Sequence, residues 1–374
     1  MIKLGDVATY INGYAFKPED RGVVGLPIIR IQDLTGSAYD LGFYDGDYPK
    51  RIEINDGDVL ISWSASLGVY VWNGGRALLN QHIFKVQFDK ADIDKRYFVY
   101  AVRQKLAELT MKTHGATMKH IVKKDFEETS IPYPSQKKQI EIGINLDKIA
   151  NIIAARKQQL ELLDELVKAR FVEMFGDPIK NPKGWKVVTI GDVVTEVRYG
   201  TSKPAVEGGK YPYLRMNNLT VEGHLDLNDL KYIDISDDEI EKCVVRKGDV
   251  LFNRTNSIEL VGKTAVFDLS EDMVIAGYII RVRLNERLLP EILSQYMNLE
   301  ALKDILRSMA KGAVNQANIN AQELQSIKVY VPGMELQKQF IEIKEQIDKS
   351  KVAVQKALDE TQMLFDSLMQ EYFG

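Results

Sequence analysis

The chain has 374 residues, of which 45% are hydrophobic and 27% charged, with a net charge of −4; this is the composition of a globular protein with room for two or three domains of roughly 100–200 residues. No apolar run reaches the ~18–20 residues of a bilayer-spanning helix, and Met1–Asp6 lacks the basic and apolar regions of a signal peptide. A single cysteine, Cys243, excludes an internal disulfide and, beside four histidines, argues against structural zinc, so a cytoplasmic protein without metal and without membrane contact is expected. The negative balance argues against a generic nucleic-acid coat but leaves room for a reader whose basic residues are placed locally.

In chain order, the first run is Leu4-Gly5-Asp6-Val7-Ala8-Thr9, and it returns as Ile190-Gly191-Asp192-Val193-Val194-Thr195. Lys17-Pro18 returns as Lys203-Pro204, and Pro27-Ile28-Ile29-Arg30-Ile31-Gln32-Asp33-Leu34 is echoed by Pro212-Tyr213-Leu214-Arg215-Met216-Asn217-Asn218-Leu219. Gly57-Asp58-Val59-Leu60-Ile61 matches Gly248-Asp249-Val250-Leu251-Phe252, and Gly115-Ala116 matches Gly312-Ala313. Each half then has an apolar strand ending in proline, at Pro134 and Pro332, and a glutamine-lysine cluster, Gln136-Lys137-Lys138-Gln139 and Gln337-Lys338-Gln339. Each half closes on Phe-Gly, Phe175-Gly176 and Phe373-Gly374. One such match would be ordinary turn chemistry; their shared order makes the chain a tandem duplication.

Apolar runs bounded by Gly, Asn and Asp predict short strands at 27–31, 59–63, 84–88, 213–216, 250–252 and 279–282. Helical spacing predicts helices over 95–112 and 290–309. The fold class is α+β: two tandem strand-rich domains, 1–135 and 177–334 with a linker at 177–186, each followed by a long helix, 136–176 and 335–374. In the first helix Leu146, Ile153, Leu160, Val167 and Met174 form one seven-residue rail, and Ile142, Ile149, Arg156, Leu163 and Arg170 the other. Phe340, Ile347, Val354, Thr361 and Leu368, with Ile343, Ser350, Ala357 and Leu364, do so in the second. Two such seams predict a coiled coil. Paired antiparallel, the helices give the molecule pseudo-two-fold symmetry; at 1.5 Å per residue the stretch 335–370 is about 54 Å long, enough to serve as a ruler against the ~34–36 Å repeat of B-DNA. Arg156 and Ser350 interrupt the rails and are placed to fix register or to meet a partner helix.

Catalytic constellations are missing. Val261-Gly262-Lys263-Thr264 lacks the earlier glycine of a phosphate loop, that position being Ser257, and reads as a strand turn. His82, His114 and His120 show no paired metal-ligand spacing. The basic stretch 103–124 carries Arg103, Lys105, Lys112, Lys119, Lys123 and Lys124, and the acidic run 234–241 reads as a solvated face.

Polar residues suited to DNA cluster near strand ends and loops. In the first half they are Arg30 and Gln32; Ser62 and Ser64; Asn80, Gln81 and His82; and Lys112, Thr117, Lys119 and His120. In the second they are Arg215, Asn217 and Asn218; Asn253, Arg254 and Asn256; and Lys311, Asn315, Gln316 and Asn318. Asn and Gln pair with adenine and Arg with guanine, while Lys and Ser/Thr suit phosphates. Taken singly, each is better read as a turn residue. As a set in corresponding loops with different sequences, they favour two readers of different targets.

These features resemble the specificity (S) subunits of Type I restriction–modification systems. The resemblance spans essentially the whole chain and is carried by the tandem Gly-Asp-Val starts, the Gly115 and Gly312 loops, the long helices and, most specifically, the linker from Phe175-Gly176-Asp177-Pro178 to Trp185. It implies two target-recognition domains, two spacer helices and a bipartite asymmetric target in double-stranded DNA. It also implies two methyltransferase (modification) subunits and restriction/translocase subunits as partners. No cofactor would be bound by this chain; S-adenosylmethionine, ATP and Mg would serve the partners. The rival readings are a stand-alone DNA-binding regulator and a coiled-coil scaffold that binds no DNA.

Overall fold

The structure is a computed structural model that describes residues 1–38, 40–112, 121–313 and 316–374; of 110–112 and 311–313 it describes the backbone. Two compact units divide the chain, Met1–Lys157 with Lys356–Gly374, and Gln158–Gln355. Each unit therefore contains one strand-rich domain and a piece of both long helices.

In the first unit an antiparallel sheet runs Thr9–Asn12, Ile83–Gln87, Val59–Ser62, Gly68–Val71. Val59–Ser62 is buried throughout, because it is an inner strand with apolar side chains for both faces. A second sheet runs Gly42–Tyr44, Leu26–Ile29, Ala77–Leu79, Glu53–Ile54, with Leu26–Ile29 and Ala77–Leu79 parallel. Ile2–Lys3 pairs with Ser130–Ile131, drawing the two ends of the domain together. Helix Lys95–Lys112 buries Tyr97, Phe98, Ala101 and Val102 in a core shared with Tyr10, Phe84, Ile142, Leu146, Met369 and Phe373.

The second unit repeats this order strand for strand. Its sheets run Val194–Tyr199, Ile279–Leu284, Val250–Asn253, Thr264–Val266 and Lys231–Ile233, Tyr211–Leu214, Met273–Ile275, Val244–Val245, and Lys186–Thr189 pairs with Lys328–Val331. The parallel pair recurs between Tyr211–Leu214 and Met273–Ile275. The duplication is thus structural, in topology and in strand sense. A three-stranded sheet of Thr255–Asn256, Gln316–Asn318 and Lys311–Ala313 is also present.

Three expected elements differ. The strands beginning near Pro27 and Pro212 stop at Ile29 and Leu214. The next backbone N–H, of Arg30 or Arg215, donates to the side chain of Asp33 or Asn218 at 2.8 Å, which turns the chain into a short helical segment. The helix expected over 290–309 is two helices, Pro290–Met297 and Glu300–Met309. The break lies at Asn298, whose Nδ2 donates to the Thr264 carbonyl and whose Oδ1 accepts from Lys303 Nζ at 2.9 Å.

The long helices are Gln136–Phe175 and Met334–Phe373. In the first unit Arg156 donates to the Ala357 carbonyl and to Thr361 Oγ1. In the second, Phe171 and Phe175 pack on Phe340 at ring separations of 5.2 and 5.6 Å, and Lys351 pairs with Asp164. Early residues of one helix meet late residues of the other, so the pairing is antiparallel in each unit. Leu146, Ile153, Val167, Ile142, Phe340 and Ile347 are buried as the rails predict, while Leu160, Ile149, Leu163 and Val354 are half-buried. Leu364 is a correction: it is 52% exposed, and Leu358 and Met369 are buried instead. A spacing of eleven, at about 3.67 residues per turn, departs from the left-handed course of a heptad seam. That suits a segment whose Phe365 and Phe373 also pack on Tyr100 and Tyr97 of the domain.

One side chain pins each helix to its domain. The buried Gln139 accepts from Asp94 N–H at 3.1 Å and donates to the Pro134 carbonyl at 2.9 Å. The buried Gln337 accepts from Leu289 N–H at 2.9 Å and donates to the carbonyls of Pro332 and Arg287.

Candidate nucleic-acid interface

In the second unit the strand Val250–Asn253 ends at Arg254, whose N–H donates to the Tyr278 carbonyl at 2.9 Å. Alongside, the chain leaves Val194–Tyr199 through Gly200, where a Cβ would lie 2.2 Å from the Ile275 carbonyl oxygen, so only glycine permits the approach. The convergence leaves a cleft of about 610 Å³ lined by Lys203, Arg215, Asn217, Arg254 and Tyr278 among others. The guanidinium of Arg254 lies 5.0 Å from the centre of the Tyr199 ring, and the Tyr199 hydroxyl accepts from Ala321 N–H at 2.8 Å.

Buried groups hold the rim. Lys263, from the glycine-lysine turn, donates to the carbonyls of Met216 and Leu219 at 2.8 and 2.5 Å and so fixes the turn that presents Asn217. Burial pushes its ammonium below the ordinary lysine value. Asn218 donates to the Asp226 carbonyl at 2.8 Å from the buried side of the same turn. Arg215 is tied to Asp229 at 2.6 Å, and Lys203 to Glu239.

Ladder register gives the equivalent place in the first unit. Asn253 faces Ile279 as Ser62 faces Ile83, so Arg254 corresponds to Trp63 and Tyr278 to His82. Tyr199 faces Ile280 as Asn12 faces Phe84, so Tyr199 corresponds to Asn12, and Gly200 to Gly13. Trp63 donates through Nε1 to Asn12 Oδ1 at 3.2 Å, and its ring meets that of His82 at 4.9 Å. His82 sits at φ 71°, a left-handed backbone that costs a non-glycine residue energy, and its Nδ1 is buried without a partner among the described residues.

Several sequence candidates turn inward. Ser62, Asn80, Asn218 and Asn253 are buried: Ser62 donates to the Ser66 carbonyl, Asn80 accepts from Gln81 N–H, and Asn253 donates to the carbonyls of Thr255 and Tyr278. Asn256 bonds Asn253, Asn318 accepts from Thr255, and Arg30 is closed against Asp33 and Asp40. These side chains serve the turns that shape the surface. Gln32, Gln81, Asn217 and Gln316 are exposed, and Ser64, His82, Arg215 and Arg254 are half-buried. Thr117, Lys119, His120 and Asn315 lie outside the described residues, as do the side chains of Lys112 and Lys311. In the basic stretch, Lys105 pairs with Glu108 and Lys123 donates to the Tyr10 carbonyl. Asn12, Trp63, Tyr199 and Tyr278 were not singled out by sequence. Extending the match of Gly57–Ile61 with Gly248–Phe252 to the end of that strand and to its neighbours would have reached them.

Apolar side chains remain exposed on the helix pair of each unit. Ile152, Met363 and Leu364 are exposed in the first, and Leu162, Leu166 and Val352 in the second. In the second unit His224 Nε2 lies 3.1 Å from Lys351 Nζ and 3.8 Å from Asp164. Burial first, then the Lys351 and Lys344 ammoniums, hold the imidazole below its ordinary value, against the opposing carboxylates of Asp348 and Asp164. Among the described residues no cluster of three His, Cys, Asp or Glu is placed to hold a metal, and no helix is long and apolar enough to cross a membrane.

Residues 1–163 and 182–361 match a family model described as Type I restriction modification DNA specificity domain. The chain is 23% identical over 409 residues to the Type I restriction enzyme EcoBI specificity subunit of Escherichia coli, covering 100% of this chain and 85% of that protein. It is 25% identical over 291 residues to the EcoKI specificity subunit of Escherichia coli strain K12, covering 72% of this chain and 62% of that protein. With the MjaVIII specificity subunit of Methanocaldococcus jannaschii it shares 23% identity over 332 residues, 82% of this chain and 78% of that protein. In fold it is similar to the S subunit of a Type I restriction-modification system from M. genitalium, with TM-score 0.56 and 15% identity over 100% of this chain and 95% of that one. A chain from a structural study of complex assembly and conformational transition of the type I R-M system gives TM-score 0.60 and 17% identity, over 99% and 96%.

Proposed function

The chain belongs to the Type I restriction modification DNA specificity family, and from that premise we propose that it is the subunit that chooses the DNA sequence on which a Type I restriction–modification complex acts. Each strand-rich domain reads one half of a bipartite, asymmetric target in double-stranded DNA. The observation that carries this reading is the pairing of one framework with two unlike surfaces. The strand order is the same in both units, yet Asn12, Trp63 and His82 in one stand where Tyr199, Arg254 and Tyr278 stand in the other. A duplicated reader with unchanged side chains would read the same half-site twice; unlike side chains at the same ladder positions read unlike bases.

The long helices set the gap between the half-sites, and their exposed apolar residues dock two methyltransferase subunits, in keeping with the apolar centres of stable interfaces. S-adenosylmethionine, ATP and Mg bind those and the restriction/translocase subunits, and the complex works in the cytoplasm. The test is DNA binding by the purified complex of this chain with the methyltransferase of its own system. Site-specific, salt-dependent binding that vanishes when one strand-rich domain is deleted supports the reading; equal affinity for all sequences refutes it.

A further inference from the structure

Building on the DNA-reading proposal, we infer that Arg254 is the side chain that reads a guanine, in one half-site and not in the other. Three observations carry this assignment. First, Arg254 makes no ion pair among the described residues, whereas its cleft neighbours Arg215 and Lys203 are neutralised by Asp229 and Glu239. Among the described residues Arg254 places one of the five N–H donors that a guanidinium carries, from Nη1 to the Gly277 carbonyl at 3.4 Å, and its buried Nε finds no partner there, as is also true of Arg215 Nε. Second, the group is pre-positioned: its Cζ lies over the Tyr199 ring, 5.0 Å from the ring centre, and that ring is itself tethered through its hydroxyl to Ala321 N–H. A guanidinium held over a ring gives up little further freedom on binding, and its planar fork matches the O6 and N7 acceptors on the major-groove edge of guanine. Third, the residue at the equivalent ladder position of the first unit is an uncharged tryptophan. Trp63 stands there, and its single ring donor is already directed at Asn12.

Arg254 is therefore a specificity-determining residue of the second unit, and the exposed Asn217 lies in the same cleft for a neighbouring base. The target should contain a required guanine in the half-site of the second unit. The test uses the full chain assembled with the modification subunits of its own system and compares wild type, Arg254→Lys and Tyr199→Leu. Two readouts are taken: binding to a library in which each target position is varied singly, and helical content by circular dichroism. Arg254→Lys should lower discrimination for guanine at one position by about ten-fold or more, leaving the other half-site and the gap unchanged. Tyr199→Leu, which keeps the arginine but removes its support, should weaken the same position. Unchanged discrimination in both folded variants overturns the assignment while leaving the DNA-reading proposal standing. Equal weakening at every sequence makes Arg254 a phosphate contact and overturns it likewise. A wild-type complex with no sequence preference takes down both readings.

Discussion

Gln337 donates to the Pro332 carbonyl at 2.9 Å at the head of the second long helix, and Gln139 makes the same bond to Pro134 at the head of the first. Each amide also accepts from the backbone N–H that opens a domain helix, at Leu289 and Asp94. A buried backbone group deprived of its partner costs about 1–3 kcal/mol. Gln337→Ala should therefore destabilise the chain by about 2–3 kcal/mol, and Gln139→Ala by somewhat less, since Gln337 also holds the Arg287 carbonyl. Denaturant midpoints of the two variants check the size and the order.

The apolar residues left outside the helix pairs should matter for assembly and not for folding. Leu162→Asp and Leu364→Asp remove exposed apolar side chains, so each should change stability by less than about 0.5 kcal/mol. Both should abolish co-purification with the methyltransferase subunit. Retained assembly in both variants would remove these faces as the docking surface.

The His224 site gives a pH dependence with a definite sign. Its imidazole is held below the ordinary value of 6.5, so the unfolded chain takes up a proton before the folded chain does. The neutral-imidazole arrangement is at full strength above pH 6.5 and is lost as pH falls from there towards the lowered folded-state value. Unfolding followed between about pH 7.5 and pH 5.5 should show stability falling on acidification, and His224→Gln should flatten that fall. An unchanged slope in the variant would assign the acid sensitivity elsewhere.

Helix length should set the gap in the DNA target. A heptad inserted after Lys157 in one helix and another after Gln355 in the other preserves the seven-residue phase of both. Seven helical residues rise about 10 Å, or about three base pairs, so the gap should lengthen by about three and both half-sites should stay the same. The methylated motif of the doubly extended chain is the readout, and an unaltered gap would contradict the helices' role as spacer.

Much of this architecture was legible in the sequence because duplication writes it twice. Gly57-Asp58 and Gly248-Asp249 marked the same turn, with both glycines at positive φ, and the 40-residue helices were visible as rails free of proline. The site was less legible, for a physical reason. Asn and Ser make turns as readily as they contact bases, and here Ser62, Asn80, Asn218 and Asn253 are buried in the turns that shape the surface. The aromatic residues at and beside these strand ends, Trp63, Tyr199 and Tyr278, look like core residues in a linear sequence. Only the ladder register places them beside Arg254 and His82. Leu364 failed as a rail residue because its helix packs against a domain as well as against a second helix, and the buried stripe rotates accordingly.

The most direct measurement is the methylated motif itself, mapped across a genome carrying this chain with its modification subunits and across the same genome lacking it. One framework bearing two different surfaces predicts a motif that appears only with the chain, in two unlike halves separated by a gap of fixed length and unrestricted sequence. Two identical halves, or one uninterrupted motif, would contradict the account.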